Sequence, residues 1–450
     1  MKALLVSRGY SLYSQVWSDQ PPLFTDLLAL IFSINGPGVF AARLLSLCFT
    51  CLLIWAVVQM VRRAWSDAAA LAAFALLIFL PTFPLLSVAA LVGQPALALA
   101  CVSLWDLMRW HQRRSWILLG GSGIVMGFSL LTKAFTGLVI PLFAGVLVGM
   151  EYFRQPPPRK LAKAIQPALA WGGSIGLCLI VGSLLLVGPA NLMQLIQPHI
   201  AATQSSSYPS NEQLYSIWFY LQDAWPILLL ALVGLVIAFR QQRIYMFYPA
   251  AWLIAATLIL SFYQPIWSHH QMLVTIPAAM LAGGAAAEGL RWLILQWKKG
   301  GKLNSESMAY LAALGLTLVT LAARTPDTLH QFQANHAESE LRAAYEDRVL
   351  RRINQYAPRT QWMVTDLPMY PFRAGLLTPP NLAVISWKRL AAGDLCEADI
   401  VETIQELHPE QILLGRFRFE QVEAFIEEEY YPVLEREDEL KLYIRKDLLK

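Results

Sequence analysis

Long apolar runs alternate with short polar loops over the first 324 residues, and this alternation limits what the chain can fold into. Only 15% of the 450 residues are charged, against about a quarter in soluble proteins. Most runs are long enough to cross about 30 Å of hydrocarbon, and several are short, which predicts half-helices and tilts. The runs cover roughly 38–61, 66–84, 95–110, 115–131, 136–150, 167–188, 222–240, 246–263, 271–292 and 306–324. The sequence therefore predicts a polytopic membrane protein with about ten transmembrane helices.

Positive charge is concentrated in one set of loops. Loops 85–94, 189–221 and 264–270 contain no Lys or Arg. Because cytoplasmic loops are enriched in these residues, the basic loops are predicted to be cytoplasmic, and residues 1–37 and 325–450 non-cytoplasmic. The basic loops hold Arg62, Arg63, Arg109, Arg113, Arg114, Arg154, Arg159, Lys160, Lys163, Arg240, Arg243, Lys298, Lys299 and Lys302.

Three regions follow from this pattern. Residues 1–37 form an outer-face loop and, over the short run 21–35, an interfacial helix; residues 38–324 form the transmembrane domain; residues 325–450 form a soluble extracytoplasmic domain. Residues 1–324 hold 20 Lys and Arg against 9 Asp and Glu, a net +11, whereas residues 325–450 hold 15 against 22, a net −7. Such a split indicates two environments and argues against nucleic acid as a partner.

The tail is predicted to be a small α/β domain, because strand-like and helix-like segments alternate along it. The expected helices are 338–356, 399–407 and 420–430. The expected strands are 362–365, 382–385, 411–414 and 440–444, the last of them at an edge of the sheet. The fold class is therefore an α-helical polytopic membrane protein with a C-terminal extracytoplasmic α/β domain.

The first outer segment, residues 9–23, is rich in aromatic and polar residues. Tyr10, Tyr13 and Trp17 precede Asp19 and a Pro-Pro pair. Aromatic ring faces stack on sugars and carboxylates accept hydroxyl hydrogen bonds, so the segment suits sugar binding. An aromatic belt at the membrane boundary has the same composition, and composition alone favours the belt.

Few other polar residues interrupt the outer boundary. Lys133 lies between two half-length apolar runs, where a lysine either reaches the interface or holds an anion such as a lipid phosphate. Arg43 near the outer face needs a partner. Gln94 reads as a turn residue or a polar contact. Adjacent His269 and His270 would point to different sides of a helix, which favours a phosphate or sugar contact over a metal site.

Carboxylates outside the membrane are scarce before the tail. A general base in this part of the chain has to come from Asp19, Asp26, Glu212 or Asp223.

Four motifs together resemble a known family. Residues 9–23 are similar to its "G-x-x-Y … PPL", 41–46 to "R-L-x-S", 127–133 to "G-x-x-L-L-T-K" and 269–278 to "H-Y-x-L-P-x-x-P". The chain resembles the GT-C membrane glycosyltransferases, specifically the bacterial relatives of dolichyl-phosphate-mannose–protein mannosyltransferases and of aminoarabinose lipid A transferases. Residues 365–368 and 374–375 also look like the extracytoplasmic domains of this group.

The resemblance implies a hexosyl- or pentosyltransferase of the bacterial inner membrane. Such an enzyme passes a sugar from a polyprenyl-phosphate donor to a glycan, lipid or protein acceptor outside the cytoplasm. Lys133 and Arg43 would bind the donor phosphate, and Asp19 would act as base or bind the acceptor. No cofactor is assigned, and a divalent metal is left open. The implied sugar or acceptor contacts are Tyr10, Tyr13, Trp17, Gln94, His269 and His270.

Two departures from the family pattern keep alternatives open. Its acidic pair and a first helix would precede Met1, and Gln94 stands where an acidic residue is often found. A catalytically inactive partner protein of the same fold is therefore the main alternative. A transporter or flippase fits less well, because the chain shows no internal repeat and its polar residues gather at the outer boundary.

Overall fold

The computed structural model describes residues 1–80, 82–204, 217–262, 268–299, 305–435 and 440–449. Glu212 lies outside these residues, as does the side chain of Asp223. The α-helices are α1 Lys2–Ser7, α2 Leu23–Asn35, α3 Val39–Ala64, α4 Asp67–Ile78, α5 Thr82–Ser87, α6 Gly93–Arg113, α7 Trp116–Thr132, α8 Ile140–Arg154, α9 Leu161–Leu186, α10 Gln197–Gln204, α11 Ile217–Arg240, α12 Phe247–Phe262, α13 Met272–Lys299, α14 Ser305–Tyr356, α15 Met369–Ala374, α16 Trp387–Ala391, α17 Glu397–Leu407 and α18 Glu420–Glu429. The strands are β1 Met363–Thr365, β2 Gln411–Leu414, β3 Tyr430–Glu435 and β4 Lys441–Arg445.

The chain divides into two compact units. The terminal unit comprises Met1–Ala42, Ser183–Pro209 and Ala334–Lys450. The helical unit comprises Arg43–Gly182 and Ser210–Gln333. Each is described below by itself.

In the described residues, the ten apolar runs predicted from the sequence are mostly helical, and the run 66–84 is divided between α4 and α5. Within the described residues, six helical stretches are long and apolar enough to cross a membrane. Four further apolar helices are shorter, and one of these is α2, the predicted interfacial helix. The chain is therefore an integral membrane protein. The six stretches are Val39–Ala64, Ala134–Arg154, Leu161–Leu186, Ile244–Phe262, His269–Lys298 and Met308–Gln331.

Close helix contacts in the helical unit depend on small residues. A Cβ atom on Gly234 of α11 would lie 2.0 Å from the Leu281 carbonyl oxygen of α13, so no larger residue fits there. A Cβ on Gly127 of α7 would lie 2.6 Å from Cys178 Cβ of α9. Without a hydrophobic drive between helices in lipid, such close backbone approach supplies the packing energy.

The C-terminal part of the terminal unit contains a four-stranded sheet in the order β1-β2-β4-β3. Strand β1 pairs with β2 in parallel, and the other two pairs are antiparallel. Ile412 and Val364 pack with Ile400 and Ile426 of the flanking helices α17 and α18. The predicted α/β class of the tail is confirmed.

Two strand predictions for the tail are wrong. Residues 382–385 form no strand: a 3-10 turn covers Pro380–Leu382, and the Asn381 and Val384 carbonyls accept hydrogen bonds from the Arg389 side chain. Their backbone acceptors are thus bonded to a guanidinium and not to a neighbouring strand. Strand β4 is not at an edge, because it pairs with β2 on one side and with β3 on the other. The edge strand is β3, and its Pro432 lies at a register shift, a typical position for proline in an edge strand.

The predicted tail helix 338–356 is not a separate element. It is the second part of α14, which runs without a break from Ser305 to Tyr356. The final apolar run and the start of the tail are therefore one helix.

Candidate functional site

Lys133 of the helical unit is positioned by a break in the helix pattern. Helix α7 ends at Thr132, Lys133 takes an extended backbone conformation (φ −155°, ψ 116°), and a 3-10 turn follows over Ala134–Val139. The break is fixed by hydrogen bonds on both sides. Lys133 N donates to Ser129 O (2.9 Å), and Thr136 Oγ1 donates to Lys133 O (3.0 Å).

The start of α6 is tied to this break. Ser129 Oγ donates to the Ala96 carbonyl oxygen at 2.7 Å, across α7 and α6. Both hydroxyls in the network, those of Ser129 and Thr136, are buried. The Lys133 backbone is thus held rigidly against the first turn of α6, as a positioned ligand-binding residue requires.

His269 lies near Lys133. A Cβ atom placed on Gly93 would lie 3.9 Å from both Lys133 Nζ and His269 Cδ2, so the ammonium and the imidazole flank the same point of the first turn of α6. His270 has a different environment: it is 4% exposed and its ring packs 5.0 Å from the Phe135 ring and 4.4 Å from His269. His270 therefore supports the position of His269 from the protein interior.

Gln94 follows Gly93 in the first turn of α6. Its side chain is 3% exposed, and neither its amide oxygen nor its amide nitrogen has a hydrogen-bond partner among the described residues. A buried polar group without partners costs about 1–3 kcal/mol, so such a group indicates a place where a ligand or water binds. Lys133, His269 and Gln94 are called the Lys133 cluster below.

Arg43 is exposed on α3. Within the described part of the chain, no hydrogen bond, ion pair or ring contact joins it to Lys133. The predicted role of Arg43 at a donor phosphate stays a prediction.

Asp19 of the terminal unit is surrounded by cations. Its carboxylate lies 3.5 Å from Lys388 Nζ and 3.8 Å from His199 Nε2. Gln20 Nε2 donates to Asp19 Oδ2 at 3.0 Å. Lys2 interacts electrostatically with Asp19 and donates to the neighbouring Ser18 hydroxyl at 3.0 Å. Asp19, Lys388, His199, Gln20 and Lys2 are called the Asp19 cluster below.

Hydrogen bonding defines the protonation of His199. Lys388 Nζ can only donate, so it donates to His199 Nδ1 at 3.2 Å. The proton of the neutral ring is then on Nε2, which donates to the Asp19 carbonyl oxygen at 3.1 Å. The two side chains hold both the backbone and the carboxylate of Asp19.

The cluster keeps Asp19 ionised. Burial alone would raise the pKa of its carboxyl, but Lys388, Lys2, Gln20 and His199 together outweigh burial, and the pKa of Asp19 is lowered. Burial also lowers the pKa of Lys2, against the opposing attraction of Asp19. A carboxylate of low pKa is a weak base at neutral pH but a good acceptor of hydroxyl hydrogen bonds.

The aromatic residues before Asp19 are packed into the terminal unit. Tyr13 is 5% exposed, and its hydroxyl donates to the Gln20 carbonyl oxygen at 2.8 Å. Trp17 is 6% exposed and its ring lies 5.4 Å from the Arg389 guanidinium. Tyr10 is partly buried and packs edge-on against Trp362, with ring centroids 6.5 Å apart.

Tyr13 also shows backbone strain. Its φ of 73° is unusual for a bulky residue. Such strain concentrates at functional sites.

The pKa of Asp26 is shifted in the opposite direction to that of Asp19. Burial in the first turn of α2 raises its pKa to about 6. Both carboxylates act electrostatically on Tyr13, and together with burial they raise the pKa of its hydroxyl. Two carboxylates whose pKa values are driven apart are a common arrangement for dividing acid and base roles.

A metal site built from protein ligands is not found in the described ranges. They contain no group of three or more His, Cys, Asp or Glu side chains placed to hold an ion.

Sequence reasoning missed the partners of Asp19. His199 and Lys388 are distant from it in the chain, and no local motif marks either one. Lys2 is closer, but its sequence context gives no sign that it lies beside Asp19.

The family model described as dolichyl-phosphate-mannose-protein mannosyltransferase matches residues 19–181, which is less than half of the chain. Comparison with curated protein sequences finds no match.

Solved structures match over nearly the whole chain. ArnT from Cupriavidus metallidurans bound to undecaprenyl phosphate is 15% identical with a TM-score of 0.60, covering 98% of this chain and 91% of that one. The apo state of the same protein gives 14% and 0.60 with the same coverage. The oligosaccharyltransferase AglB from Archaeoglobus fulgidus, in complex with an inhibitory peptide and a dolichol-phosphate, is 12% identical with a TM-score of 0.50, covering 92% of this chain and 64% of that one.

These matches define the class of the fold. The chain has the GT-C fold of membrane glycosyltransferases, which confirms the resemblance predicted from its motifs.

Proposed function

We propose that the protein transfers a sugar from a polyprenyl-phosphate-linked donor to an acceptor on the non-cytoplasmic side of the membrane. The observation that carries the proposal is the Lys133 cluster: an ammonium, an imidazole and a buried amide without partners at one helix start. These groups suit a lipid phosphate, which accepts charge-assisted hydrogen bonds. The structural relatives support this choice of donor, because two were solved with undecaprenyl phosphate or a dolichol-phosphate.

The proposed reaction is a displacement at the anomeric carbon. An acceptor oxygen forms a bond to that carbon, the bond from the carbon to the phosphate oxygen breaks, and the polyprenyl phosphate leaves with the electron pair. Lys133 and His269 stabilise the negative charge that develops on the leaving phosphate. Gln94 hydrogen-bonds the phosphate or the sugar and thereby satisfies its buried amide. Arg43 is a second candidate for the phosphate.

The terminal unit supplies two carboxylates with different properties. Asp19, kept ionised by its cluster, is suited to accept hydrogen bonds from hydroxyl groups. Asp26, with a pKa of about 6, is better matched to accept a proton as a general base. Tyr10, Tyr13 and Trp17 shape this segment, and His270 holds His269.

The orientation is also part of the proposal. The distribution of basic loops supports a non-cytoplasmic position for the C-terminal α/β domain and the first outer segment, and the bacterial inner membrane fits this arrangement. The three regions 1–37, 38–324 and 325–450 are retained as functional divisions.

The test is a transfer assay with purified protein and polyprenyl-phosphate sugars. We expect a new glycosidic bond and released polyprenyl phosphate, both reduced strongly by Lys133→Ala. Donor binding without turnover would favour an inactive partner protein of this fold. Passage of intact donor across sealed vesicles without bond formation would favour a flippase.

A further inference from the structure

The chain turns sharply where α9 ends. Helix α9, which is long and apolar enough to cross a membrane, ends at Leu186. Gly188 follows with a φ of 78°, a conformation that favours glycine, and its N–H donates to the Ser183 carbonyl oxygen at 2.9 Å. A 3-10 helix and α10 then continue the chain to Gln204. Residues 189–204 are called the α10 segment below.

One side of the α10 segment is bound to the first outer segment within the terminal unit. With its amide oxygen toward the indole, Gln194 accepts a hydrogen bond from Trp17 Nε1 at 3.1 Å and donates to the Tyr13 carbonyl oxygen at 3.3 Å. His199 Nε2 donates to the Asp19 carbonyl oxygen at 3.1 Å. Polar groups of the α10 segment therefore hold the backbone of the first outer segment at both of these residues.

Another side of the α10 segment is apolar and exposed. Met193 is 62% exposed and Ile196 is 52% exposed, and Leu192 is exposed beside them. Met193 and Ile196 are three residues apart, a spacing that places side chains on one face of a helical segment. Large apolar side chains grouped on an exposed surface mark a contact with a protein or a membrane.

The adjoining part of the chain identifies the partner as lipid. Leu184, Leu185 and Leu186 at the end of α9 are also exposed, so the apolar surface of a membrane-spanning helix continues into the α10 segment. Loop 189–221 contains no Lys or Arg, so the segment carries no cation of its own for an acidic protein surface. Apolar contact is what it offers.

We propose that the α10 segment lies in the membrane interface at the end of α9, with Leu192, Met193 and Ile196 among the lipid acyl chains. This contact supports the first outer segment from below. His199 is less than one helical turn from Ile196, and a helix with its side chains is about 10–12 Å across. The Asp19 backbone is therefore held about one helix width from the lipid. The proposal does not depend on the proposed transfer reaction.

Photocrosslinking tests the lipid contact. The full-length protein is reconstituted in phosphatidylcholine nanodiscs with p-benzoylphenylalanine in place of Ile196, and lipid adducts are quantified by mass spectrometry. The same substitution at Leu177, exposed on α9, is the positive control, and at Leu407, exposed on α17, the negative control. We expect a yield at position 196 within about threefold of that at 177 and about tenfold above that at 407. A yield as low as that at 407 would overturn the proposal.

Hydrogen exchange in the same nanodiscs tests the support of the first outer segment. Met193→Gln/Ile196→Gln removes the apolar contact and leaves Gln194 and His199 in place. We expect the amides of residues 11–19 to exchange about tenfold faster, while β1 and β2 exchange at the wild-type rate because the fold is retained. Leu407→Gln, the matched control, should change neither. Wild-type exchange of residues 11–19 in the double variant would contradict the claim that lipid contact holds them.

Discussion

The Asp19 cluster of the terminal unit and Gln94 of the helical unit differ in how their polar groups are paired. In the terminal unit, Asp19 is ion-paired to Lys388, lies 3.8 Å from His199 Nε2 and is hydrogen-bonded by Gln20. In the helical unit, Gln94 is buried more deeply, yet its amide has no partner among the described residues. A satisfied cluster stabilises a fold, whereas an unsatisfied buried group lowers stability and is retained where a ligand completes it.

This difference predicts that the two clusters contribute differently to catalysis and to stability. The Lys133 cluster should matter for catalysis and little for stability. The Asp19 cluster should matter for both, because removal of one ion leaves the others unbalanced. Substitutions in the two clusters should therefore change activity and melting temperature to different extents, and measuring both quantities tests this difference.

The largest effect is expected for Lys133→Ala. Loss of the ammonium removes charge stabilisation of the leaving phosphate, so transfer should fall by about 10²-fold or more. Because Lys133 is positioned through its backbone, the melting temperature should change little. The matched control is Lys163→Ala, an exposed lysine in the first turn of α9, which should retain normal transfer. Comparable losses in both variants would mean that Lys133 has no special role.

Asp19→Asn should reduce stability by about 2–3 kcal/mol, somewhat below the range for breaking a fully buried ion pair, since the carboxylate is 15% exposed. The double variant Asp19→Asn/Lys388→Met should lose less than the sum of the two single losses. Thermal unfolding in detergent measures all three. Glu402→Gln, which removes an exposed carboxylate of α17, serves as the control. Strict additivity would show that the ion pair contributes nothing.

Asp26 should give the protein a pH-dependent stability. Its folded pKa of about 6 lies above the usual value near 3.9. Its contribution is therefore fully present below pH 4 and is lost as pH rises through 6. A difference of about two pKa units corresponds to a change of at most about 3 kcal/mol in the free energy of unfolding, and partial exposure of the side chain reduces this to roughly 2 kcal/mol. Melting curves at pH 5 and pH 8 should converge in Asp26→Asn. An unchanged difference between the two pH values would place the titrating group elsewhere.

Gln94→Leu should stabilise the protein while weakening transfer. A leucine of similar size removes two unpartnered polar atoms, and we expect a gain of about 1 kcal/mol in unfolding free energy. Michaelis analysis should show a higher KM for the donor lipid. A loss of stability would instead mean that water or another group already satisfies the Gln94 amide.

Much of the fold was predictable because composition determines it. The described residues of the ten apolar runs are mostly helical, since hydrocarbon excludes unpaired backbone groups and favours helices. The tail was harder. Its four residues 382–385 have a strand-like sequence, but the Arg389 side chain donates to the carbonyl of Val384 and to that of Asn381, just before them. The central position of β4 depends on β3, whose Pro432 argues against a strand in sequence terms.

The candidate site was only partly predictable. Lys133 and Gln94 stand out in the sequence because polar residues interrupt apolar runs. The partners of Asp19 do not, because Lys388 and His199 are brought to it by tertiary folding over long chain separations. Tyr13 and Trp17 were noted for their rings, but burial of both side chains is a property of packing that composition does not reveal.

Sugar transfer from a polyprenyl-phosphate donor is tested most directly by mass spectrometry of the products. The purified protein is incubated in vesicles with a panel of polyprenyl-phosphate sugars and with acceptors extracted from the cell envelope. The account predicts released polyprenyl phosphate together with an acceptor heavier by one sugar residue, and loss of both signals in Lys133→Ala. Donor that stays intact across the whole panel, with the wild-type protein folded and the lipid bound, would contradict it.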